Sequence, residues 1–123
     1  MLNIVKINKQ NLLVVPQGLS KLAALKNKIV VPIEHVVGAK IEPAILNESK
    51  GLRAPGMALP GYYWAGNFRK HGTESFFNIK KGNTPVVIQL KNEKYTRLII
   101  GVADPENLVA LINNNRETWA TDQ

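Results

Sequence analysis

Between Pro85 and Asn114 the chain reads "PVVIQLKNEKYTRLIIGVADPENLVALINN". Two apolar, β-branched runs flank the polar break "KNEK", the pattern of a hairpin. The period then changes. Asp104 suits a helix N-cap, and Pro105 suits the first helical position, where its missing N–H would be an orphan in any case. Glu106 complements the helix dipole. Leu108, Val109, Leu111 and Ile112 recur as one helical stripe. A hairpin leading into a capped amphipathic helix restricts the chain to folds in which a C-terminal helix closes a sheet. The spacing predicts that helix over 105–116, with Trp119 just past it and placed to dock the C-terminus.

The rest of the chain is mostly strand-like. "LNIVKI" and "NLLVVP" read as two strands around the turn "NKQN". In "PQGLSKLAALKN" the residues Leu19, Leu22, Ala23 and Leu25 fall on one helical face, and Ser20 can cap it. This predicts a short helix near 19–27. "KIVVPIEHVVGAKIEP" reads as two strands or one kinked strand. Pro32 cannot donate to a ladder and marks an edge or bulge, and Gly38 marks a second bend. Residues 44–61 are irregular, "TESFFNIKKGN" is a strand ending in a Gly-Asn turn, and Gly66 is read as a bulge. About seven strands, an early helix and a terminal helix give a single α+β domain over 1–123, with an antiparallel sheet closed by the last helix.

A chain of 123 residues with 45% hydrophobic and 20% charged content can bury a core without staples. It has no cysteine, which removes disulfides, cysteine zinc ligands and a cysteine nucleophile. The N-terminal stretch lacks an apolar run of secretory length, and the longest uncharged run, 54–68, is too short and too broken by Pro and Gly to span a bilayer. The expectation is a cytoplasmic, soluble protein. The net charge of +7 favours acidic partners, and five lysines precede Glu34 with no acid among them.

The second acid-free region, "KGLRAPGMALPGYYWAGNFRKHG", joins four cations, two Pro-Gly steps and three adjacent aromatics. Pro-Gly steps make turns. Arg binds phosphate or stacks, and exposed aromatics stack bases or sit among lipid headgroups. Lys50, Arg53, Tyr62, Tyr63, Trp64, Arg69 and Lys70 are therefore the candidate anion or partner surface. A strand here would also bury one aromatic face.

No catalytic pattern stands out. The two histidines, His35 and His71, are distant in sequence, and Glu34 and His35 fall in a strand-like run where neighbours face opposite sides. The serines sit in no nucleophile elbow, and "GLRAPG" is followed by Met57 and Ala58 instead of the Lys and Ser/Thr of a phosphate loop. No cofactor and no metal are expected. Strand alternation leaves Val87 and Ile99 as surplus apolar residues opposite the main faces of "VVIQL" and "RLII", which points to an interface.

Several motifs resemble the bacterial pleckstrin-homology-like (PH-like) domain proteins: "IVVPIEHVVGA", "GLRAPG" with a later "GNF", "PVVIQL" with "KYTRLIIGV", and "DPENLVALIN". The likeness covers about Leu12 to Asn114. It implies a PH-like curved antiparallel sheet or split barrel of about seven strands with a C-terminal capping helix. It implies little about function, because a fold hosts functions rather than dictating them. PH domains that bind phosphoinositides cluster Lys and Arg in the loop after the first strand, and the corresponding "NKQN" has Lys9 alone. The expectation is a non-enzymatic binding or assembly module acting on a protein partner or on itself, as a homo-oligomer. An anionic membrane surface is the alternative reached through 50–72, and nucleic acid ranks below it.

Overall fold

The computed structural model describes residues 3–17, 28–47, 52–59 and 63–122, the side chains of 46–47, 52–59, 63 and 115–122 excepted. The helix expected near 19–27 lies outside the described residues. The described residues form nine strands and one long helix: β1 (Asn3–Ile7), β2 (Asn11–Pro16), β3 (Ile29–Pro32), β4 (Val36–Ile41), β5 (Leu52–Leu59), β6 (Tyr63–Lys70), β7 (Thr73–Lys80), β8 (Val86–Leu90), β9 (Arg97–Ile100) and α1 (Pro105–Asp122). Short 3₁₀ turns occupy Ile33–His35 and Pro43–Asn47. The chain is α+β, as expected, but its strands form two open sheets: β1-β2-β3 and β4-β8-β9-β7-β6-β5.

Local chemistry explains most boundaries. The Asn8 side chain accepts from the backbone N–H of Gln10 (2.8 Å) and Asn11 (2.7 Å), which turns β1 into β2. The β6–β7 turn is His71-Gly72, both at positive φ (53° and 77°), the primed geometry that matches strand twist. Asp104 caps α1 through Oδ1, which accepts from Asn107 N–H at 3.3 Å. The helix runs on to Asp122, so Trp119 lies inside it.

Several sequence expectations are corrected. The large sheet is not wholly antiparallel, because β9 pairs with β7 in parallel, Ser75↔Arg97 to Asn78↔Ile100. The turn over 81–85 carries the chain from β7 to β8 two strand positions away, and the β8–β9 hairpin then folds β9 into the gap. Second, "LRAPGMAL" is a strand. It lies at a sheet edge, where Pro55 needs no ladder partner, inside a register break between Arg53 and Gly56. The bulge is therefore on β5, whereas Gly66 sits in the regular β6–β7 register at φ 117°. Third, Glu34 and His35 lie in a 3₁₀ turn instead of a strand. Fourth, Leu111 of the expected helical stripe is 45% exposed; Leu108 and Ile112 are buried.

The large sheet is buried on both faces. On one, Phe76, Ile88, Leu98 and Ile100 meet Leu12, Val14 and Val31 of the small sheet and Leu108 and Ile112 of α1. On the other, Phe68, Phe77, Ile79, Val87 and Ile99 form a second cluster with Ile45, and half-buried Trp64 packs against it. Val87 and Ile99 are fully buried, so they are not surplus surface. The chain from β4 to β5 joins opposite edges of this sheet and lays Ile45 over that face.

One polar network stitches the two sheets together. Asn3 Nδ2 donates to Asn78 O (3.0 Å) and Gly101 O (2.8 Å), and Asn78 Nδ2 donates back to Asn3 Oδ1 (2.9 Å). Gly101 lies under the β7–β8 turn, where an added Cβ would come within 2.5 Å of Asn83 Oδ1. Among the described residues, no helix is long and apolar enough to cross a membrane.

Candidate functional site

The β6–β7 turn and the β8–β9 loop lie side by side. Thr96 N–H donates to Glu74 O at 2.8 Å, because β9 starts where β7 starts. Between them opens a cleft of about 680 Å³ lined by residues 69–74, Glu93, Lys94 and Thr96. That size is in the range of a binding cleft, and its wide mouth and charged lining suit a polar segment better than an enclosed apolar ligand.

Glu74 anchors the cleft. Its place across the two-residue turn sets it opposite Arg69, whose Nε donates to Glu74 Oε1 at 2.8 Å. Lys94 Nζ approaches Glu74 Oε2 at 3.6 Å from the neighbouring loop. The Arg69 hydrogen bond, with the nearby Lys94 charge and against the opposing effect of partial burial, holds the Glu74 carboxyl below its usual range. Two cations thus share one carboxylate, while their side chains remain 66% and 61% exposed. Glu93 closes the far wall and is held by His35 Nδ1 at 2.5 Å. Behind Lys94, Tyr95 packs on Phe76 with ring centroids 5.7 Å apart, and its hydroxyl donates to Asn67 Oδ1 at 2.8 Å. Burial raises the Tyr95 hydroxyl above its ordinary range, the Lys94 charge opposing in part.

This arrangement divides the surface expected from the sequence. Arg69 and Lys70 line the cleft. Trp64 lies at the other end of β6, about 17 Å away along the strand, packed against the second core cluster. The alternation of β6 also puts Trp64 and Arg69 on opposite faces, so these two side chains do not share a patch. Arg53 is in β5 opposite Phe68 and Tyr63 is in β6 opposite Leu59, their side chains outside the description; Lys50 and Tyr62 lie outside the described residues. The sequence reading missed Glu74, Glu93, Lys94 and Thr96. Arg69 and Glu74 flank a two-residue turn symmetrically, a signal that could have joined them. The approach of Lys94 depends on the parallel β7–β9 pairing, which no local pattern encodes.

The cleft holds three cations, Arg69, Lys70 and Lys94, against two carboxylates already paired within the protein. Chemically it can accept anionic groups at its rim and hydrogen-bonding groups at Thr73 and Thr96. Comparison of the chain with protein-family models, with curated proteins and with solved structures gives no match.

Proposed function

We propose that this protein is a non-enzymatic binding module that engages an acidic segment of a partner protein at the cleft between the β6–β7 turn and the β8–β9 loop. The observation that carries the reading is the pair Arg69 and Lys94, exposed, on two different hairpins, and fixed by one ionised carboxylate. A positive rim of this kind steers and orients acidic partners. The net charge of +7 acts in the same direction. Kinship with the bacterial PH-like domains belongs to the same proposal. It is supported by the hairpin-rich sheets and the closing helix, and the parallel β7–β9 pair departs from that plan.

Assembly through surplus apolar residues on β8 and β9 loses its support, since Val87 and Ile99 are core. The membrane and nucleic-acid readings lose Trp64, which packs inward. The test is titration of the chain with an octaglutamate peptide, an octaglutamine peptide, and anionic and neutral vesicles. Octaglutamate alone should bind, and binding should weaken at least about tenfold between low and moderate salt as the exposed charges are screened. Lys94→Gln and Lys70→Gln should each weaken it further without loss of fold. Binding that ignores salt and both substitutions refutes the proposal, as does binding to anionic vesicles without binding to octaglutamate.

A further inference from the structure

Among the described residues, four strands have one open side: β1 and β3 in the small sheet, β4 and β5 in the large one. An open edge presents unpaired main-chain groups to any extended chain, and proteins blunt such edges. Three of the four are blunted here. β3 ends on Pro32, and β5 carries Pro55 within its register break. β4 is capped by α1. Asn113 Oδ1 accepts from Ala39 N–H and Asn113 Nδ2 donates to Ala39 O, both at 3.0 Å, so one amide takes the place of a neighbouring strand.

Among the described residues, β1 has none of these devices. "NIVKI" contains no proline, and its register with β2 is unbroken from Asn3↔Pro16 to Ile7↔Leu12. Asn8 N–H donates to Asn11 O at 3.0 Å and closes the hairpin. Counting back by the antiparallel alternation, Lys6 and Ile4 bond to β2, and the N–H and C=O of Val5 turn to the open side. Among the described residues, Asn3, Val5 and Ile7 make no main-chain hydrogen bond outside that ladder. Beside this edge runs a groove of about 230 Å³, walled by Asn3–Val5 and by Val102, Leu108 and Leu111. Two large exposed apolar side chains, Ile4 (37%) and Leu111 (45%), line it together. It is smaller than the usual small-molecule site, but its open main chain fits a strand.

We propose that β1 receives an extended peptide from a partner protein as an added strand. Main-chain bonds to Val5 supply the register. The two-residue period then sets the side chains: an apolar residue beside Ile4 and Leu111, and an acidic one two positions along, beside exposed Lys6. Charge selects this occupant over a second copy of the chain, which would bring another +7 to the same edge. The site is separate from the Arg69–Lys94 cleft and does not depend on it.

The experiment is selection of random octapeptides displayed on phage against the full chain, followed by titration of the enriched peptides with backbone amide shifts recorded. Enrichment of an apolar residue followed two positions later by Asp or Glu is expected, with shifts over 3–7 and 102–111. Val5→Pro removes the outward N–H without touching the β1–β2 ladder and should weaken binding about tenfold, the equivalent of one good hydrogen bond. Leu111→Lys, on the groove wall and outside the core, should do the same and guards against a Val5→Pro chain that does not fold. Lys94→Gln should leave binding unchanged. The proposal fails if no peptide is enriched, if enriched peptides bind Leu111→Lys equally well, or if the free chain sediments as a dimer that these substitutions dissolve.

Discussion

Replacing Asn3 by alanine should cost far more than its position near the N-terminus suggests. The side chain is 1% exposed and makes three hydrogen bonds, giving two to the carbonyls of Asn78 and Gly101 and taking one from Asn78 Nδ2. Asn78 O keeps a second partner, Gly101 N–H at 3.2 Å. Gly101 O loses the partner described for it, and Asn78 Nδ2 loses one hydrogen bond. An unsatisfied buried carbonyl costs about 1–3 kcal/mol and a lost hydrogen bond about 0.5–1.5 kcal/mol, so Asn3→Ala should lose roughly 1.5–4.5 kcal/mol. That is a large share of the stability of an ordinary domain, about 5–15 kcal/mol. Urea unfolding should show a lower midpoint at unchanged slope.

Asn3→Asp separates hydrogen bonding from packing. The shape is kept and the bond from Asn78 survives, but an ionised carboxylate cannot donate to two carbonyls. Its folded pKa is therefore raised above the unfolded value, so stability is retained below about pH 4 and lost as pH rises through the carboxylate range. Asn3→Asp should thus come closest to the parent at low pH and fall furthest behind at pH 7. The double variant Asn3→Ala/Asn78→Ala should cost less than the sum of the two single changes by about 0.5–3 kcal/mol, because each single change already removes the hydrogen bond between the two side chains. An Asn3→Ala cost below about 0.5 kcal/mol, or strict additivity in the double variant, would refute the stitch between sheets.

Ile99→Ala should destabilise by about 2–5 kcal/mol with no change in sedimenting mass, because Ile99 fills an internal cluster; a change of mass with little loss of stability would return it to an interface. Asn113→Ala should cost about 1–2 kcal/mol and make the chain associate in a concentration-dependent way, since it uncovers the β4 edge; light scattering identical to the parent counts against the capping role. Tyr95 has a raised hydroxyl pKa, so its contribution is intact below pH 10 and is lost as pH rises beyond it. Tyr95→Phe should flatten the alkaline fall in stability and remove a phase of an ultraviolet tyrosine titration that lies above the ordinary range.

Legibility in the sequence followed the range of the interactions. The β1–β2 hairpin, the β8–β9 hairpin and the Asp104–Pro105 start of α1 are local devices, written in turn residues, capping residues and period. β5 was missed because Pro55 and Gly56 outweigh its pairing, and only an edge position makes such a strand workable. Alternation marked Val87 and Ile99 as surplus because it counts faces and cannot see that Ile45 crosses over the second one. Of the expected surface, Arg69 and Lys70 reach the cleft because they end a strand at a tight turn. Trp64 does not, because it lies toward the opposite end of β6, five residues from Arg69, an odd spacing that also turns these two side chains to different faces.

A single non-local event accounts for the features that no local pattern revealed. Because β9 enters the gap between β7 and β8 in parallel with β7, the two strands begin together and end together. At their beginnings, Thr96 bonds to Glu74 O and Lys94 is carried to the Glu74 carboxylate, which completes the cleft. At their ends, Gly101 N–H bonds to Asn78 O and the two carbonyls lie side by side, which builds the acceptor pair that Asn3 fills. An antiparallel β9 would send Lys94 toward Asn78 and Gly101 toward Glu74, and would lose the cleft and the stitch at once. The same register therefore fixes the charged cleft at one end of the sheet and, through Asn3, the position of β1 at the other.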